Sequence, residues 1–154
     1  MEELKEGDIA PGFTAKDQNG KTVSLSDFAG NDVILYFYPK DDTPGCTAEA
    51  CNFRDNYQSL QQQGFTVIGV STDDEESHQK FVNKYQLPFT LISDTDKSIV
   101  EAYGVWIEKN MYGKKYMGTA RKTFIIDKKG VIKKIIDKVD TKDSSQQVLD
   151  LLKD

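Results

Sequence analysis

Val33-Ile34-Leu35-Tyr36-Phe37-Tyr38-Pro39-Lys40-Asp41-Asp42-Thr43-Pro44-Gly45-Cys46 is the stretch on which the fold turns. Val33 to Tyr38 is an unbroken apolar run of β-branched and aromatic residues, the pattern of a central strand covered on both faces. Pro39 ends it. Thr43 then has the chemistry of a helix N-cap, and Pro44 stands where a first helical residue would, with its missing N–H no loss and its φ preset. Cys46, Ala50, Phe53, Tyr57 and Leu60 recur at spacings of four and three, so one face of a helix of about four turns is turned toward the sheet. Gly64 closes it.

Outward from this strand–helix unit the same alternation continues. Phe65 to Ser71 reads as a second buried strand. A second helix opens at Thr72, with Glu75 at capping-box spacing, and stops before Pro88. A third runs from Asp94 to Tyr103, with Gly104 as its stop. Phe13-Thr14-Ala15 and Thr22-Val23-Ser24 flank Asn19-Gly20 as an opening hairpin; Lys122 to Asp127 and Val131 to Ile136 form a closing one. A terminal helix starts near Asp143 and carries Val148, Leu149, Leu151 and Leu152. Trp106 to Gly118, aromatic residues among lysines, reads as a long loop. The expected class is α/β, with a central mixed sheet flanked by helices and an N-terminal hairpin extension. No linker or repeat divides the chain, so residues 1–154 read as a single domain.

The 154 residues are 38% hydrophobic and 29% charged, enough to bury a real core. A formal charge of -5 argues against nucleic acid as a partner. No apolar run approaches the roughly 20 residues a spanning helix needs. Met1 to Asp8 has neither a basic nor an apolar leader region. The expectation is a cytoplasmic protein with no membrane association.

Cys46 and Cys51 are the only cysteines and His78 the only histidine. A closed zinc site takes four ligands, so no metal is expected. In a reducing compartment such a pair points to catalysis. A thiol reacts as its thiolate, which the free N–H groups and dipole of a helix start would favour. A fixed cation would favour it further. Arginine keeps its charge, and the chain has two, Arg54 and Arg121. His78, beside Phe81 and Val82, reads as packed on an apolar helix face. Positions five apart in an α-helix put Cα atoms roughly 8.7 Å apart, beyond the range of about 7 Å that a disulfide permits. Either the pair never bonds, or the helix unwinds to let it.

Pro39-Lys40-Asp41-Asp42-Thr43-Pro44-Gly45-Cys46 resembles the P-x-x-x-T-x-x-C active-site signature of peroxiredoxins. Leu35 to Tyr38 and Thr47-Ala48-Glu49-Ala50-Cys51 are similar to the bacterioferritin comigratory protein (peroxiredoxin Q) branch. So are Val67 to Ser71, Ser77 to Phe81, Leu87 to Phe89, Tyr112 to Lys114 and Arg121 to Asp127, over nearly the whole chain. The resemblance implies a thioredoxin-like fold and a thiol-dependent peroxidase of the atypical two-cysteine type. It would act on hydrogen peroxide and organic hydroperoxides without a cofactor. It makes Cys46 the peroxidatic and Cys51 the resolving cysteine, joined in an intramolecular disulfide. Thr43, Pro39 and Arg121 complete the site, thioredoxin or a similar dithiol is the reductant, and the chain is a monomer. Ile107 departs from the branch, where glycine is common. Glu49 reads as a solvated helix residue unless it orients an arginine. Two rivals remain: a thiol–disulfide oxidoreductase, whose usual C-x-x-C spacing is absent, and a non-catalytic binding module of the same fold.

Overall fold

A computed structural model describes residues 3–152. Met1, Glu2, Lys153 and Asp154 lie outside the described residues, and with them both ends of the 1–154 range and the first two residues of the N-terminal reading. The run Asp32–Phe37 forms strand β3, and Phe65–Ser71 forms β4 parallel to it, from Asp32 opposite Phe65 to Phe37 opposite Val70. Thr90–Ser93 (β5) extends the parallel set. Thr14–Lys16 (β1) and Thr22–Ser24 (β2) pair as the expected opening hairpin and attach to β5 antiparallel. Lys122–Ile126 (β8) and Ile132–Ile136 (β9) form the closing hairpin, with β8 antiparallel to β3. The sheet order is β2-β1-β5-β4-β3-β8-β9, mixed as expected.

Alternation along β3 sorts the core. Ile34 and Tyr36 point to one face, packed with Ala50, Phe53, Leu60 and Phe81 from the helices. Val33, Leu35 and Phe37 point to the other, packed with Ile99, Val100, Tyr103 and Phe124. Both faces are therefore covered, which is why the strand is apolar or aromatic from Val33 onward, after the half-buried Asp32 at its start.

The helices differ in detail from the expected ones. The long helix is two: Pro44–Asp55 (α1) and Tyr57–Gln62 (α2), separated by Asn56 at φ -109, ψ 7. Asn56 leaves helical geometry, and both its side-chain amide and its backbone N–H donate to the Asn52 carbonyl, at 2.8 and 3.2 Å. Helix Glu75–Tyr85 (α3) is capped by Asp74, whose carboxylate accepts from the Ser77 N–H, in place of the Thr72 start. A carboxylate is the stronger acceptor, and it carries charge to the positive end of the helix. Ser98–Ala102 (α4) begins later than Asp94, because Asp94 spends its carboxylate on the N–H groups of Ile99 and Val100 and stays outside the helix. Ser144–Leu151 (α5) starts where expected.

The largest difference is Trp106 to Gly118. In place of a loop it is an antiparallel arm, Trp106–Met111 (β6) against Lys114–Thr119 (β7). Tyr112 and Gly113 form the turn with φ of 53 and 80, the left-handed pair a two-residue hairpin needs. Neither face of the arm is buried along its length, so it carries no apolar alternation to betray it.

Gly69 is the tightest point of the sheet. A Cβ there would lie 2.8 Å from Leu91 Cδ2 and 2.9 Å from the Tyr36 hydroxyl oxygen. Gly69→Ala is expected to destabilise the protein by about 1–3 kcal/mol through overpacking. Urea unfolding measures this, and a midpoint equal to that of the parent would refute it.

Candidate active site

β3 delivers the chain to Pro39, and the Pro39 to Thr43 loop delivers it to α1. The loop is held by its acidic residues. Asp41 is buried, and its carboxylate accepts from the Tyr38 hydroxyl at 2.6 Å and the Ser77 hydroxyl at 2.7 Å. His78 Nδ1 lies 2.7 Å from the same carboxylate, while Nε2 donates to the Ile92 carbonyl at 3.0 Å. The Asp41 N–H bonds Asp73. Asp42 stands at φ 57, and its carboxylate accepts from Lys84 and Tyr85. The loop is thus fastened to α3 at two successive residues.

His78 is fully buried with both ring nitrogens engaged, the packed role expected of it, and it offers nothing to Cys46. Asp41, Asp73 and His78 form a compact group of potential metal ligands.

Thr43 caps α1 through its backbone, with the Thr47 N–H bonded to its carbonyl at 2.8 Å. Its hydroxyl turns back to donate to the Lys40 carbonyl at 2.9 Å, so the hydroxyl proton is already committed. Cys46 lies in the first turn of α1 and is 1% exposed. Arg121, just before β8, reaches across to it. The register that sets Phe37 opposite Lys122 places Arg121 at the end of β3 where the loop begins. Its Nη2 donates to Cys46 Sγ at 3.2 Å and its Nη1 to Glu49 Oε1 at 2.9 Å. Burial works against the Arg121 charge, but Cys46 and Glu49 beside it raise its pKa above the usual value.

Two residues of this cluster were not assigned to the site from the sequence. Glu49, read as solvated unless it orients an arginine, is fully buried and paired with Arg121. Its spacing of three from Cys46, which sets both on one helix face, was the available signal. Burial pushes its carboxyl up to about 7, with Arg121 pulling the other way. Gly45 is the second. A Cβ on it would meet Arg121 Nη2 at 3.1 Å, the atom that bonds Cys46. A glycine inside a helix start is costly, and that cost was its signal.

Cys51 lies in the same helix, half-buried and not bonded to Cys46. Burial raises its thiol pKa, and Arg54 offsets part of the rise. Arg54 itself bonds Asp55 and the Tyr85 carbonyl, leaving Arg121 as the arginine at Cys46. Pro39 is half-buried at the end of β3. The structure therefore gathers Cys46 and Arg121 directly, sets Thr43 and Pro39 on the loop before them, and keeps Cys51 on the same helix.

The AhpC/TSA family model matches residues 7–135. The chain belongs to this family. Within it, the chain is a peroxiredoxin of the Bcp/Q branch. It is 47% identical over 154 residues to peroxiredoxin Bcp of Escherichia coli, covering 100% of this chain and 99% of that one. Peroxiredoxin Bcp of Bacillus subtilis is 48% identical over 148 residues, 96% of this chain and 94% of its own. A bacterioferritin comigratory protein of Xanthomonas campestris, solved in work on its alkyl peroxide reduction activity, superposes with a TM-score of 0.85. It is 35% identical, with 92% of this chain and 90% of that chain covered. The mixed sheet with its flanking helices is thus the thioredoxin-like fold, and this peroxiredoxin is a thiol-dependent peroxidase that acts on hydroperoxides and needs a reductant. Among the described residues no helix is long and apolar enough to cross a membrane.

Two measurements probe this peroxiredoxin's site. Gly45→Ala should leave the fold as stable or more so, since alanine favours the helix by about 1 kcal/mol. It should nevertheless slow peroxide consumption about tenfold by displacing Arg121 Nη2; full activity would contradict the contact. Glu49 supplies a pH test. Its folded carboxyl holds a proton up to about 7, above the ordinary carboxyl value of 4.5, so protonation favours the folded state. Its contribution is fully present below 4.5 and is lost as pH rises through about 7. Urea unfolding across that window should show stability falling with pH, with a shallower slope in Glu49→Gln. Equal slopes would count against the assignment.

Proposed function

We propose that Cys46 is the peroxidatic cysteine of an atypical two-cysteine peroxidase, that Cys51 resolves it, and that an external dithiol, thioredoxin or a close equivalent, closes the cycle. The supporting observation is the 3.2 Å bond from Arg121 Nη2 to Sγ of a cysteine in the first turn of a helix. A guanidinium and the free N–H groups of a helix start can both face an anionic sulfur, the form that attacks. The sulfur attacks the nearer peroxide oxygen, the S–O bond forms, and the O–O bond breaks. Charge moves onto the departing oxygen, along a line that Arg121 can follow with its planar fork. Thr43, its proton committed to Lys40, has lone pairs free to accept the peroxide O–H and so aim the attack. Pro39 has no N–H to compete for substrate.

The resulting sulfenic acid condenses with Cys51. Within an intact α1 the two residues lie too far apart, so the cycle includes unwinding of the helix start. The bounds of that unwinding follow from the tethers. On one side Asp41 and Asp42 are fastened to α3. On the other, Asn52 donates to the Lys142 carbonyl and accepts from the Ser145 N–H at 2.8 Å, and Phe53 is in the core. The segment from Pro44 to Cys51 lies between. Its side-chain polar tethers among the described residues run to Arg121, from Cys46 and Glu49. Oxidation removes the thiolate charge and with it part of that hold. Cys51 stays a protonated thiol while folded, which keeps it from reacting before the helix opens. We also propose that the whole chain works as one domain in the cytoplasm, as a monomer.

The deciding experiment is rapid mixing of reduced protein with hydrogen peroxide, followed by mass spectrometry for a Cys46–Cys51 bond. Cys46→Ser should abolish peroxide consumption. Cys51→Ser should keep the first turnover and stop thioredoxin-linked recycling. Amide exchange should accelerate between residues 44 and 51 on oxidation and stay unchanged from residue 53 onward in α1. Undiminished activity in Cys46→Ser, or identical exchange in both redox states, ends this reading.

A further inference from the structure

Cys46 and Glu49, 1% and 0% exposed, are two acids facing the same guanidinium. A single cation balances one buried anion, and a second unpaired anion in such a site is costly. Two further titratable groups face the pair. Tyr36 approaches from β3 as a neutral phenol, its pKa raised well above usual by burial and then by Glu49 and Cys46. Lys109 on β6 is a second cation near Arg121 and Cys46, its pKa lowered by burial and by Arg121; it is only half-buried, so water screens its charge, and no ion pair joins it to Glu49. One oxygen of Glu49 is occupied by Arg121; the other, Oε2, is buried without a hydrogen-bond partner. An ionised carboxylate with a bare buried oxygen is disfavoured, whereas a carboxylic acid loses little there.

We infer that Glu49 carries the proton that the departing peroxide oxygen receives, so that it is protonated while Cys46 is a thiolate and ionised once Cys46 is oxidised. The inference rests on the peroxidase reading above. The step balances: Cys46 thiolate, hydroperoxide and Glu49 carboxylic acid give Cys46 sulfenic acid, an alcohol or water, and Glu49 carboxylate. The S–O bond forms and the O–O bond breaks. Sulfur loses two electrons, the peroxide gains them, and the proton passes from Glu49 to the departing oxygen, directly or over one water. Arg121 exchanges a thiolate partner for a carboxylate, and the buried site stays neutral throughout. The Glu49 value of about 7 fits this exchange, since the carboxyl can hold its proton at neutral pH yet release it to a basic oxygen.

The test uses Cys51→Ser protein, which stops at the sulfenic acid. An infrared difference spectrum between oxidised and reduced protein should lose a protonated-carboxyl band and gain a carboxylate band. Both changes should vanish when Glu49→Gln is added. Mass spectrometry of the same sample reports the sulfenic acid. If it is absent, the peroxidase reading has failed; if it forms and no carboxyl band is lost, only this inference is overturned. Kinetics give a second readout. Glutamine keeps neutrality and the bond to Arg121, so a purely positioning role survives Glu49→Gln while a proton-donating one does not. The expected loss is about 10²-fold with an alkyl hydroperoxide, whose alkoxide is basic. It should be much smaller with a peracid, whose carboxylate needs no proton. Equal rates with both substrates in variant and parent would overturn the proposal.

Discussion

One guanidinium holds the candidate site of this protein together. Arg121 comes from the start of β8, yet its two arms close on residues of α1, Cys46 and Glu49, a helical turn apart. The geometry is possible because β8 lies antiparallel to β3, so that its first residues stand beside the end of the strand that feeds the helix. It also requires that nothing stand between arginine and helix, the condition Gly45 meets. Arginine suits this place because its charge does not lapse on burial and its fork can serve two partners at once.

The same bonds account for a tension in the helix. A reactive sulfur needs rigid donors around it, whereas a disulfide to Cys51 needs the helix to give way. The two needs are reconciled by where the fastenings lie. The loop before α1 is tied to α3 through Asp41 and Asp42, and the second half of α1 is tied to α5 and the core through Asn52 and Phe53. Between them the tethers run to Arg121 from Cys46 and Glu49, and in the proposed cycle the first of these weakens when the sulfur is oxidised. In the proposed cycle a local opening of this kind lifts Cys46 and Ala50 out of one core layer and leaves the sheet and the other layer in place.

The strands and the reactive helix were legible because their signals are local. β3 and β4 are unbroken apolar runs, the hairpins are marked by Asn19-Gly20 and Gly130, and Thr43-Pro44 marks the start of α1. Where several local signals competed, the reading slipped. Asp74 outbid Thr72 as a cap, Asn56 divided the long helix, and Asp94 stayed outside the third. The β6–β7 arm escaped because its faces are too exposed to pattern its residues, leaving only Tyr112-Gly113 as a sign.

By itself the sequence determined that two cysteines lie five positions apart in one helix behind a proline-threonine loop, with Arg121 and Arg54 as the arginines that could serve them. The family resemblance chose Arg121 of the two; that its other arm holds Glu49, only the tertiary structure decided. Arg121 is 75 positions from Cys46 and 72 from Glu49 along the chain, and no periodicity connects residues so far apart. The buried state of Glu49 is likewise a property of the packed sheet and helices. A carboxylate on a helix reads as solvated until the chain folds over it, removes its water and leaves Arg121 as its partner.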